Sequence, residues 1–147
     1  MNAKDYLQRV RKIDRLIENK LAEAMHWKTV AMGTSTNSEG ERVQSSGSKQ
    51  KMADAVARYV DIESEINAEI DKLANVRREI VLTIEALPVD EYDMLYQVYV
   101  NCKELQDVAT DMDKSYSWAT TIHGRALAHL QKILDEREKD AEHSKKA

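Results

Sequence analysis

No phenylalanine occurs in this chain of 147 residues, and proline appears once, cysteine once and glycine four times. Without Phe, the core must be filled by Leu, Ile, Val and Tyr, which favours narrow seams between helices over a thick globular centre. With Pro88 alone, long stretches have nothing to interrupt a helix. A single cysteine, Cys102, excludes an internal disulfide and a multi-Cys zinc site, and reads as a small residue in a turn. No run of about 18 apolar residues is present to span a membrane. The start, MNAKDYLQRVRKID, also lacks the apolar region of a signal peptide, so the expectation is a cytoplasmic protein without membrane contact. Also missing are G-x-x-x-x-G-K-[ST], G-x-S-x-G and H-E-x-x-H. Asp107, Asp111 and Asp113 lie close in sequence, yet no histidine stands at a ligand spacing to them, and exposed carboxylates explain them. The expectation is a protein that is not an enzyme and holds no metal and no cofactor.

What is present is charge, at 33% of residues with a net value of −4. Residues 1–51 carry ten Lys and Arg against six Asp and Glu, while 88–134 carry four against seven. No segment is a broad basic surface of the kind that binds nucleic acid without sequence preference. A small basic cluster, Arg9, Arg11, Lys12 and Arg15, is a secondary candidate for phosphate or an acidic protein patch. Asp5, Asp14 and Glu18 beside it also suit a solvated face.

Residues 3–31 predict a helix, because Val10, Ile13, Ile17, Ala24 and Trp27 form an apolar stripe at three- and four-residue steps, with Leu21 adjoining. Gly33 to Lys49, rich in Ser, Thr and Gly, predicts a flexible loop. From Gln50 to Leu87, Tyr59, Ile66, Leu73, Ile80 and Leu87 recur every seven residues, with Val56, Ile70 and Ile84 between them. This heptad seam predicts a second long helix, paired antiparallel with the first in a coiled-coil-like hairpin, and it suits a homodimer equally well. Pro88 ends the hairpin. Asp90 is placed to cap a short helix to about Val100, burying Met94, Leu95, Val98 and Tyr99, and Asn101-Cys102-Lys103 forms a turn with Asn in the left-handed role.

Glu104 to Ile133 carries the functional signal. Helix 104–112 presents Leu105, Val108, Ala109 and Met112 as its buried side, with Ala109 small enough for a close helix crossing. Asp113-Lys114 makes the corner, and Ser115 caps a following helix that buries Ala119, Ile122, Ala126, Leu127, Leu130 and Ile133. In a helix-turn-helix the early residues of the second helix meet base edges, and flanking groups bind phosphate. Here those positions hold Ser115, Tyr116, Ser117, Thr120, Thr121, His123 and Arg125. Hydroxyls bond to bases and phosphates, and Thr methyls contact thymine. Trp118 reads either as packing against the preceding helix, the favoured reading, or as an aromatic facing the groove.

The string S-Y-S-W-A-T-T-I-H-G-R-A-L-A-H-L resembles the end of region four of a primary sigma factor, with Ser115, Ala119, Ile122, Arg125, Ala126, Leu127 and Leu130 in register without a gap. Upstream, Leu105, Asp107, Val108 and Met112 correspond as well. Together with its helical first half and its V-Q-S-S segment at Val43–Ser46, the chain is similar to small phage proteins of Gram-positive hosts related to the ArpU and RinA late regulators. The resemblance implies promoter DNA bound by the second helix, action on host RNA polymerase, and a role in late gene expression inside the bacterial cell. It places the base-reading positions on Tyr116, Ser117, Thr120 and Thr121, where sigma factors carry charged or amide side chains, so a different promoter element is implied.

The expected architecture is all-α: a long antiparallel helical hairpin over 1–87 with loop 33–49, a small sigma region-four-like helix-turn-helix domain over 88–134, and a polar tail over 135–147. The expected partners are double-stranded DNA and host RNA polymerase. Two other readings fit the same residues: a module that binds polymerase or another phage protein without touching DNA, and a small terminase subunit.

Overall fold

The computed structural model describes residues 1–33 and 46–146. Within them the chain is all-α, with no strand: α1 (Ala3–Ala31), α2 (Ser46–Ile84), α3 (Val89–Leu95), a π-helical segment (Tyr96–Val100), α4 (Leu105–Asp111) and α5 (Tyr116–Lys146). Among these residues no helix is long and apolar enough to cross a membrane. Most of the expected loop, including Val43 to Ser45, lies outside the described residues, and Ser46 to Lys49 already belong to α2. The chain divides by contacts into two units, one of residues 13–73 and the other of residues 1–12 with 74–147. This division falls within the two long helices, whereas the expected boundary stood at Pro88.

In the 13–73 unit, α1 and α2 pair through Ala24, Ile62 and Ile66, with Trp27 and Tyr59 packed against them. Lys20 Nζ meets Glu65 Oε2 at 3.0 Å and Arg58 meets Glu23 Oε1 at 3.1 Å. As the α1 numbers rise the α2 numbers fall, the signature of antiparallel neighbours. The heptad row of Tyr59, Ile66 and Leu73 points inward as expected, but of the companion residues Val56, Ile70 and Ile84 only Ile84 does. Val56 and Ile70 are 48% and 46% exposed, while Ile62 is fully buried and Ala55 nearly so. The inner companion row is therefore Ala55, Ile62, Glu69, Val76 and Thr83, one residue earlier than predicted. Both rows stand three or four residues from the Tyr59 row, so periodicity allows either. Apolar count does not separate them either, because Glu63 and Arg77 interrupt one row and Glu69 and Thr83 the other.

In the other unit, Leu7 and Val10 from α1 and Ile80, Ile84 and Leu87 from the α2 end are buried. So are Met94, Leu95, Val98, Tyr99 and Val100, and along α5 Ala119, Ile122, Ala126, Leu130 and Leu134. Helix α5 packs on α3 and α4, and α4 also touches the π-helical segment. Polar ties fix the arrangement. Thr83 Oγ1 lies 3.0 Å from the Tyr6 hydroxyl and accepts from Arg137 at 2.9 Å, and Arg11 donates to the Val98 carbonyl at 3.1 Å. Glu91, 2% exposed, meets His129 Nδ1 at 2.8 Å and so pins α3 to α5.

Three local expectations need correction. The helix after Pro88 starts at Val89, with no side-chain cap, because Asp90 Oδ1 accepts only from the neighbouring Glu91 N–H. Its second half widens to π geometry, and Val98, Tyr99 and Val100 are buried in succession there. In the turn that follows, the left-handed angle falls on Cys102 (φ 55°), while Asn101 stays right-handed (φ −88°). The wider turn explains this: the Asn101 N–H still bonds to the Tyr96 carbonyl five residues back, so reversal waits one residue. Finally, the polar stretch 135–147 continues α5 to Lys146 instead of leaving it. Ala, Glu, Lys and Arg are strong helix formers, Leu134 is buried, and the Met1 amine reaches Glu138 at 2.7 Å.

Candidate nucleic-acid interface

The corner between α4 and α5 is closed by backbone geometry. Asp113 takes a left-handed angle (φ 56°), its N–H bonds to the Thr110 carbonyl at 3.1 Å, and the Lys114 N–H bonds to the Ala109 carbonyl at 2.9 Å. These two bonds are the Schellman pattern, which satisfies carbonyls left over at the end of α4 and reverses the chain within two residues. Ser115 then caps α5, its Oγ accepting from the Trp118 N–H at 3.0 Å. Ala109 and Ala119 are both buried, as a close crossing of α4 and α5 requires. Leu105, Met112, Leu127 and Ile133, expected inside, are half-buried.

On the outer side of α5, Tyr116, Ser117, Thr120, Thr121 and Arg125 are all exposed, Tyr116 by 57%. Their hydroxyls are partly committed: Thr120 and Thr121 both donate to the Ser117 carbonyl, at 2.8 and 2.9 Å. Each threonine thus offers outward its methyl group and its oxygen lone pairs, with the donor hydrogen turned inward. Lys114 lies over the Trp118 ring, 5.7 Å from its centroid, and Trp118 is half-buried. The exposed cations of this stripe are Arg125 and, two turns on, Lys132.

His123 stands apart from the rest. It is half-buried, its ring stacks on Tyr99 at 5.7 Å and 17°, and its Nε2 lies 2.8 Å from the Tyr99 hydroxyl. Burial holds its pKa below the usual 6.5, and the nearby Lys4 charge adds to this. The imidazole is therefore held toward its neutral form, sharing one hydrogen between Nε2 and the Tyr99 hydroxyl, while burial raises the tyrosine pKa above 10.0. The pair ties α5 to the π-helical segment.

The secondary basic cluster is similarly divided. Arg9 pairs with Glu79 at 3.2 Å and lies over the Tyr6 ring, and Arg11 is bound to the Val98 carbonyl. Lys12 is exposed, as is Arg15. No three His, Cys, Asp or Glu side chains converge as metal ligands among the described residues.

One residue of the outer face escaped the sequence reading. Gly124 is exposed in mid-helix, and a Cβ built there would meet nothing within 4 Å. A glycine in a helix interior costs about 1 kcal/mol relative to alanine, and nothing in the fold requires it here. Its place, one turn after Thr120 and Thr121, opens bare backbone in the middle of the candidate surface. The signal was available: an isolated glycine within a strongly helical pattern.

With this geometry in hand, comparison with known proteins adds no relative: no protein-family model, no curated protein and no solved structure matches the chain.

Proposed function

We propose that this protein is a transcription regulator that holds double-stranded DNA with the first turns of α5 and acts together with host RNA polymerase, as the sigma region-four resemblance implies. It works by binding alone, with no chemistry of its own. The observation that carries the reading is the capped, tightly closed corner behind an uninterrupted exposed face of Tyr116, Ser117, Thr120, Thr121, Gly124 and Arg125. Tyr and Thr oxygens accept from base amines and Thr methyls meet thymine, while bare backbone at Gly124 lets a phosphate ribbon approach. Arg125, Lys132 and Lys114 supply phosphate contacts. Each neutralised phosphate contributes roughly −0.9 to the logarithmic salt slope, so three cations give a slope of about −3 for one copy. Selection of bound fragments from the genome that encodes the chain, followed by footprinting, tests this. A discrete protected site supports the reading; absence of any enriched fragment at low salt overturns it.

A specific observation favours a second reading, in which the same module binds polymerase or another phage protein without DNA. Glu104, Asp107, Asp111 and Asp113 are exposed on and around α4, the helix that would cross the phosphate backbone, and among the described residues only Asp111 is ion-paired there, with Lys103 at 3.1 Å. Recovery of polymerase by the immobilised protein, with no gel shift, would select this alternative.

A further inference from the structure

In the 13–73 unit the two ion pairs Lys20–Glu65 and Glu23–Arg58 mark one flank of the α1/α2 pair. At 100° per residue, Leu21, Met25 and Met32 fall on the other flank of α1, and Val56, Val60 and Ile70 on the other flank of α2. In an antiparallel pair these two flanks lie on the same side. All six residues are between 46% and 65% exposed. The ion-paired flank, by contrast, exposes only Leu16 and Val30 among its large apolar residues, beside Arg58, Glu65 and Lys72. Two of the six, Val56 and Ile70, are residues that the heptad count assigned to the internal seam.

The geometry points to a second copy of this chain as the partner of that flank, laid across it antiparallel to make a four-helix bundle from two α1/α2 pairs. Three observations lead to this occupant. First, the six side chains leave on the order of 600 Å² of apolar surface per copy, at the upper limit for a lone monomer. Two such faces together bury about 1,200 Å², enough for a specific dimer. Second, the stripe is self-complementary. Along α1 it reads Glu18, Leu21, Met25, Lys28, Met32, with the two charges about 15 Å apart and neither ion-paired within the described residues. Reversing one copy over the other brings Glu18 of each beside Lys28 of its partner, as a two-fold interface requires. Third, residues 34–45 contain a single large apolar residue, Val43, so that segment has too little apolar surface to cover the face itself. This inference is independent of the DNA reading, though a dimer would double the cations available to one duplex.

Sedimentation equilibrium of the full chain tests the proposal. The expected mass is twice 16.8 kDa at micromolar concentration. Leu21→Glu with Val60→Glu should yield a monomer that keeps its helical circular dichroism, since both sites are exposed. Leu16→Glu, on the ion-paired flank, should leave the dimer intact. Glu18→Lys and Lys28→Glu should each weaken association about tenfold, and together restore it, because two symmetric pairs become repulsive and then attractive again. A monomer at about 100 μM, where even a weak specific dimer forms, would overturn the proposal. A ring larger than a dimer, or a dimer broken by Leu16→Glu but not by Leu21→Glu with Val60→Glu, would do the same.

Discussion

Gly124→Ala separates stability from binding on one residue. The glycine is helical, exposed and has no neighbour within 4 Å of an added Cβ, so alanine fits without displacing anything. The gain is then the difference in helix propensity, about 0.8–1.0 kcal/mol. For a chain of this size that raises the melting temperature by roughly 2–4 °C. Thermal unfolding followed at 222 nm reads the first effect, and fluorescence anisotropy on the footprinted DNA site reads the second. If backbone at Gly124 approaches the partner, the methyl group lifts α5 away, and affinity falls as the protein becomes more stable. A lower or unchanged melting temperature would refute the claim that the glycine lacks a packing role. Greater stability with unchanged affinity would show that this face touches nothing.

Asp113→Gly should stabilise by about 0.5–1 kcal/mol, because the left-handed angle of 56° suits glycine and the acidic charge at the end of α4 is removed, whereas Asp113→Val should destabilise; chemical denaturation of the two variants checks the order. Ser115→Ala should cost about 1 kcal/mol through loss of the cap to Trp118, read in the same assay. His129→Ala should cost about 1–3 kcal/mol by leaving buried Glu91 without its partner, and adding Glu91→Leu should recover much of that loss, which a double-mutant cycle measures. His123 has a folded pKa below its ordinary 6.5, so the unfolded chain binds the proton first. Stability should therefore decline as pH falls through about 6.5 and level off below the folded value, and His123→Phe should flatten that part of the profile.

Much of this architecture was legible because it rests on local chemistry. Pro88 stands between two helices, although α2 already stops at Ile84, Ser115 had to cap a helix, and the α5 stripe of Ala119, Ile122, Ala126 and Leu130 is buried as its spacing required. What misled was polar residues in apolar roles. Glu69 and Thr83 leave the inner row of α2 no more apolar than the row beside it, and the charged sequence after Leu134 hid a helix held by Gln131, Arg137 and Glu138 to distant residues. The π geometry of Tyr96–Val100 left no sequence mark, since it depends on what surrounds Val98 to Val100. Of the candidate surface, Tyr116, Ser117, Thr120, Thr121 and Arg125 are exposed together, while His123 is engaged with Tyr99. Sequence spacing cannot reveal that, because position 123 borders both faces of the helix.

If the outer face of α5 holds DNA, as proposed, negative charge placed on that face must abolish binding. Anisotropy titrations of wild type and Ser117→Glu with Thr121→Glu, on the selected site at about 50 mM and about 200 mM salt, compare a sequence-selective complex with one whose phosphate ribbon meets two new carboxylates. Both substitutions lie in exposed positions of the first turns, where acidic side chains favour the helix, so the fold should persist. Wild type should bind with salt sensitivity and the variant not at all, at equal helicity. Equal affinity of the two proteins, or no binding by wild type at the lower salt, would contradict the proposal.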